Sequence, residues 1–228
     1  MIPLRDDNPA QSPPLVTRAL IIANVLAWMF ELSQGEAFTE FLREWGVVPG
    51  RLFASFSDLT SIPMELLTVF TSLFLHGGWF HLIGNMWYLW IFGDNVEDRL
   101  GHGRFLVFYL ASGFVAALVH SALMPGSAIP TIGASGAIAG VLGAYALAYP
   151  RARVMTLIPL IIYFKVIPVP ALLLLGIWFL MQFVSGTLVS GGASGGVAWW
   201  AHIAGFVFGF VTMGVVARHQ RSRTAIAG

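Results

Sequence analysis

A chain of 228 residues, 57% of them hydrophobic and 10% charged, with no cysteine, is not an ordinary water-soluble globule, which would carry about 25% charge. A formal net charge of +1 offers no field for nucleic acid. The lack of cysteine excludes disulfides, iron–sulfur clusters and thiol catalysis, and leaves the redox compartment open.

Residues 1–16 read as an N-terminal tail. Its first 14 residues are polar, and with Pro3, Pro9, Pro13 and Pro14 they are expected to be solvated. A first span follows at 17–34. A cleaved signal peptide is the alternative, but Arg5 is cancelled by Asp6 and Asp7 and the Pro-rich start is atypical. Residues 35–78 form a long connection with acidic and aromatic residues, too amphipathic for a disordered linker. Interfacial half-helices are its expected content.

Asp, Glu, Lys and Arg are missing from residues 66–93, from the 46 residues 105–150 and from the 52 residues 166–217. A bilayer-spanning helix needs about 20 apolar residues, so these stretches hold one, two and two spans. The second span runs from Trp79 to Asn95, the third from Phe105 to Met124 and the fourth from Ser135 to Tyr149, stopped by Pro150. Residues 154–164 are apolar but too short to cross alone. The fifth span follows Pro170 and ends near Ser185, a flexible loop covers 186–196, and the sixth span covers 197–217. The basic tail 218–228 closes the chain. The fold class is therefore an all-α, six-span membrane protein with a long, partly helical first loop. With both termini cytoplasmic, ten Lys and Arg residues lie inside and only Arg43 and Arg51 outside, a strong positive-inside bias.

Polar residues within spans are functional candidates because lipid makes them costly. Asn24, His81, Asn85, His120, Ser135, Gln182 and His202 stand out. Ser135 lies 16 residues before Arg151 and His202 lies 16 before Arg218. At about 1.5 Å per residue, both sit roughly 24 Å above the inner boundary. Trp199 and Trp200 fit an aromatic belt just above His202. Gly136 and Gly140, with Gly143 nearby, and Gly205 and Gly209 are spaced to let the fourth and sixth spans approach closely. His81 and Asn85, at i and i+4, share one face of the second span at similar depth. They supply two donors suited to an oxyanion, to which the amide groups at the head of the fourth span would add.

No carboxylate is expected within the spans on the outer side, which leaves a Ser–His dyad and not an Asp-supported triad. No HExxH motif is present and no metal is expected. The soluble-hydrolase elbow G-x-S-x-G fails because Ala137 takes its last glycine position.

Gly133-Ala134-Ser135-Gly136 opening a glycine-rich span, Ala201-His202-Ile203-Ala204-Gly205 with Gly209, and His81 with Asn85 together resemble the rhomboid intramembrane serine proteases. The resemblance covers roughly 17–217 and implies a six-span rhomboid-like protease domain. It implies that Ser135 is the nucleophile and His202 the general base, and that His81, Asn85 and the Ser135 N–H hold the oxyanion. It further implies substrates that are membrane proteins with a helix-destabilised transmembrane segment, cut near the outer boundary, with no cofactor and no nucleic acid. The expected setting is a bacterial inner (plasma) membrane. Two positions depart from the family pattern: Leu67-Thr68 stand where a first-loop Trp–Arg pair is common, and Ala139 replaces an aromatic that packs on the catalytic imidazole. A non-cleaving pseudoprotease and a small transporter are the rival readings.

Overall fold

The chargeless stretches fold as helices in the order the sequence sets out. The computed structural model describes residues 1–57, 60–160, 163–189 and 198–227. Among them are α1 (Leu15–Ser33), α2 (Phe38–Trp45), α3 (Pro49–Ser55), α4 (Ile62–Thr71), α5 (Trp79–Leu100), α6 (His102–Leu123), α7 (Ser135–Ala148), α8 (Ala171–Val189) and α9 (Trp199–Ala227). By length and composition, α1, α6, Ala171–Leu188 of α8 and Trp199–His219 of α9 are able to cross a membrane. A fifth joins them if α4 with its following 3-10 turn and α5 count as one span bent by 80°. Helix α7 has only 14 residues, about 21 Å of rise against a core of about 30 Å.

Helix α7 is the axis of the molecule. Every side chain from Gly136 to Ala146 is buried, and the helix packs against α9, α6, α5 and α8. Lipid tails are as apolar as leucine, so burial of apolar area supplies little drive here and close packing takes over. Glycine makes that packing possible. A Cβ on Gly209 would stand 2.6 Å from the carbonyl carbon of Gly140, and one on Gly205 would stand 3.1 Å from that of Gly136. The backbones of α7 and α9 therefore touch along the Gly136/Gly140 and Gly205/Gly209 rows.

The N-terminal residues are not a solvated tail. Strand β1 (Ile2–Asp6) pairs antiparallel with β2 (Arg153–Leu160), which pairs with β3 (Tyr163–Pro170), giving a sheet of order β1-β2-β3. Among the described residues this sheet departs from the all-helical expectation. The apolar stretch from 154 is too short to cross as a helix, and its β-branched and aromatic residues favour a strand. Folding back as a hairpin satisfies one edge of β2, and β1 satisfies the other. Pro168 and Pro170 fall on β3, an edge strand, where a missing N–H is tolerated.

The sheet stands beside the helices. Trp87 Nε1 donates to the Pro3 carbonyl and Asn95 Nδ2 to that of Asn8, both at 2.6 Å. These partners on α5 are about 12 Å apart along its axis, so β1 descends along α5. Ile2 pairs with Leu157, and β2 continues about 10 Å further. Near that end Tyr163 and Phe164 are 71% and 76% exposed, an aromatic surface suited to lipid. At the other end Tyr145 donates to the Asp6 carboxyl, whose pKa is raised by burial.

Glu97 clamps this same end of the bundle. Its carboxylate accepts from the backbone N–H groups of Val16 and Thr17 at 2.8 and 2.7 Å, and from the Thr17 hydroxyl. These are orphan donors at the head of α1, capped by a carboxylate from another helix. His102 Nδ1 meets the same group at 2.6 Å.

Between α1 and α5 the chain forms short helices. Arg51, with Nε 2.7 Å from Glu65 Oε1 and its guanidinium on the carbonyls of Arg43, Glu44 and Gly46, ties α2, α3 and α4 together. That cluster supplies an anchor in a loop whose Leu67-Thr68 lack the Trp–Arg pair. Two other boundaries move. Helix α8 runs on to Val189, so 186–189 are helical and the rest of the expected flexible loop, with Ser194, falls outside the described residues. Helix α9 continues through the expected basic tail as far as Ala227.

Candidate active site

Ser135 is the first residue of α7. The head of that helix carries no side-chain cap, so its first amide groups remain available as donors. The approach is set by Gly133, whose φ of 119° suits glycine alone. Its N–H donates to the Ser72 carbonyl at 2.8 Å. A Cβ there would stand 2.6 Å from His81 Nε2 and 3.6 Å from Asn85 Nδ2. Gly133 thus brings both donors up against the turn that leads into Ser135.

His202 lies across from it on α9. Its Nε2 is 2.8 Å from Ser135 Oγ, and its Nδ1 is 2.7 Å from Gln182 Oε1 on α8. The ring is bracketed by Trp178, at 6.0 Å between centroids, and Trp199, at 6.3 Å and 88°. The position expected to carry a stacking aromatic, Ala139, is fully buried and 3.3 Å from where a Gly205 Cβ would be. No aromatic fits in a helix contact that close.

His81 Nδ1 accepts from the Gly77 N–H at 3.4 Å, which leaves its proton on Nε2, the nitrogen that faces Gly133. Asn85 Nδ2 lies 3.0 Å from His76 Nε2. His76 in turn has its Nδ1 3.2 Å from the Phe74 carbonyl, so Nδ1 carries its proton and Nε2 accepts from Asn85. One amide hydrogen of Asn85 is thereby engaged by His76, and the planar amide fixes the direction of the other.

Sequence reasoning missed His76, which is fully buried. The signal was there: a histidine five residues before His81 in a stretch without charge. It also missed Glu31. Contrary to expectation, a carboxylate does lie within a span, buried near the end of α1, where its Oε2 accepts from the His76 N–H at 2.9 Å. It bonds on the side of the site where His76 meets Asn85, and not to His202. Asn24 is turned to its own helix, donating to the Leu20 carbonyl, and His120 does not line the pocket.

The groups converge on a cavity of about 780 Å³ lined by His81, Asn85, Ser135, Trp178, Gln182 and His202 among others. The arrangement is a hydroxyl bonded to an imidazole, with N–H donors on the far side. That is the constellation of acyl transfer: a nucleophile, its base and a place for negative charge.

A family model described as the Rhomboid domain matches residues 63–219, well over half of the chain. Rhomboid protease GluP of Bacillus subtilis (strain 168) is 35% identical over 132 residues, covering 58% of this chain and 24% of that protein. Rhomboid protein 1, mitochondrial, of Saccharomyces cerevisiae is 29% identical over 177 residues, 71% of this chain and 46% of its own length. RHOMBOID-like protein 1 of Arabidopsis thaliana is 40% identical over 80 residues, 35% of this chain and 20% of its own. The chain belongs to the rhomboid family, as the motifs around Ser135, His202 and His81/Asn85 led us to expect, and it is an integral membrane protein. It spans less than half the length of each of these relatives.

Proposed function

We propose that this protein is an intramembrane serine endopeptidase that cuts transmembrane segments of membrane proteins near the outer membrane boundary. The observation that carries the reading is the 2.8 Å contact of Ser135 Oγ with His202 Nε2 inside a cavity that His81 and Asn85 also line. Helices α1, α5, α6, α7, α8 and α9 are the six spans, both termini are cytoplasmic, and the setting is a bacterial inner membrane. The short α7 opens within the bilayer, which puts the serine below the outer surface.

The Ser135 oxygen attacks the scissile carbonyl carbon as His202 Nε2 takes the hydroxyl proton. Negative charge gathers on the carbonyl oxygen, where His81 Nε2–H, Asn85 Nδ2–H and the Ser135 N–H donate to it. The C–N bond then breaks, and the proton on His202 passes to the leaving amine. Water, deprotonated by the same imidazole, releases the acyl group. A regular helix hides its carbonyls, so substrates with Gly, Pro or polar residues near the outer boundary unwind most readily.

The test is purified protein in liposomes with a panel of single-span substrates, beside Ser135→Ala. Cleavage by the parent and none by Ser135→Ala is expected. Ser194, in a second Gly-Ala-Ser-Gly at 192–195, should be replaceable by alanine with little loss. Failure of Ser135 to react with a fluorophosphonate, or the reverse pattern at the two serines, would overturn the assignment.

A further inference from the structure

We propose that Gln182 is a positioning residue that fixes the tautomer and orientation of His202, extending the dyad to a Ser135–His202–Gln182 chain. The proposal rests on the reading of Ser135 and His202 as nucleophile and base. A neutral imidazole carries one N–H and one lone pair. Gln182 Oε1, 2.7 Å from Nδ1, is an acceptor only. The proton therefore sits on Nδ1, and the Nε2 lone pair points at the Ser135 hydroxyl 2.8 Å away. That is the tautomer a general base needs; the other would set a lone pair of Nδ1 against one of Oε1.

The surroundings show why this task falls to α8. Helices α7 and α9 are too close at Ala139 and Gly205 for a stacking aromatic. The ring is held from the remaining side: Trp178 and Gln182 stand one turn apart on α8, and Trp199 closes the edge. Gln182 is 8% exposed, and its carbonyl oxygen is already engaged by Nδ1 at 2.7 Å. When His202 takes the serine proton, that carbonyl dipole faces the newly positive ring and stabilises it. An amide does so without placing a permanent charge in the bilayer, which a carboxylate would require.

Two variants separate positioning from packing. Gln182→Met keeps the volume and removes the acceptor; Gln182→Glu keeps an acceptor oxygen. For Gln182→Met, kcat on a single-span substrate should fall about 10–100-fold with KM within about 2-fold, short of the roughly 10⁴-fold seen when a triad histidine loses its carboxylate. Gln182→Glu should stay within about 5-fold of the parent. Proton–nitrogen NMR of ¹⁵N-histidine-labelled protein should give a downfield Nδ1–H signal for His202 in the parent and in Gln182→Glu, lost in Gln182→Met. A parent spectrum with the proton on Nε2 would overturn the proposal, as would parental kcat in Gln182→Met. Equal loss of kcat and melting temperature in both variants would reduce the contact to packing and also overturn it. The NMR measurement needs only folded protein. An Nδ1–H signal in a protein that neither cleaves nor labels at Ser135 would therefore sink the protease reading and leave the tautomer assignment intact.

Discussion

Gly209→Ala tests whether the α7–α9 contact sets the distance between Ser135 and His202. The added Cβ would lie 2.6 Å from the Gly140 carbonyl carbon and 2.8 Å from its Cα, where ordinary van der Waals contact begins at 3.4 Å. Both neighbours are backbone and the Gly140 carbonyl oxygen is nearer still, so no side chain is able to rotate away, and the helices must separate by at least about 0.8 Å. If α9 moves as a rigid body away from α7, Nε2 of His202 goes from 2.8 Å to about 3.6 Å or more from Ser135 Oγ, beyond hydrogen-bond range. Overpacking of this kind costs about 1–3 kcal/mol of stability, and a misplacement near 1 Å lowers rate by about 10²-fold. The assay is kcat and melting temperature on the same detergent-purified protein, with Gly176→Ala as control, since nothing lies within 4 Å of a Cβ there. Parental kcat in Gly209→Ala, or equal losses in both variants, would refute the reasoning.

Asn85→Ala should lower kcat by about 10²–10³-fold with KM little changed, and also lower the melting temperature, because buried His76 loses its partner; a stable, fully active variant would rule out the oxyanion role. His81→Ala should act in the same direction and less severely, with a water standing in for part of the donation. Replacing Gly or Pro near the scissile bond of a substrate by Leu should slow cleavage substantially, and an unchanged rate across such a series would count against selection by helix weakness. Asp6, whose carboxyl is raised above its ordinary value of 3.8 by burial, favours the fold most when protonated. Its contribution is full below that ordinary value and is lost as pH rises through the raised one. Asp6→Asn should therefore flatten the fall in melting temperature on the alkaline side of pH 4, and an unaltered profile would show that Asp6 is not its source.

The helices and most of the site were legible because lipid imposes long chargeless runs and makes each intramembrane polar group conspicuous. Ser135, His202, His81 and Asn85 announced themselves in this way, and counting to Arg151 and Arg218 put two of them at one depth. The sheet was not legible. The run from Val154 is continuously apolar, without the alternation that marks a strand, and its partner Ile2–Asp6 is remote in sequence and carries charge. Gln182 was visible as a polar residue in a span, but the acceptor it offers to Nδ1 depends on the relative rotation of α8 and α9, which no spacing along one helix encodes. Glu31 was overlooked although it falls near the end of the expected first span, because its partner is a backbone N–H that a sequence does not display.

The pairing of Ile2 with Leu157 has a bearing on the order in which the chain assembles. Closing a free loop of about 155 residues costs roughly 4.5 kcal/mol. Once Glu97 has caught Thr17 and α5, α6 and α7 have packed together, only about ten free residues separate that knot from β1, and the cost drops to roughly 2 kcal/mol. Strand β1, which precedes its partner β2 by about 150 residues, thus docks at the least entropic cost after the helices have packed, with the carboxylate that caps α1 holding its near end in place.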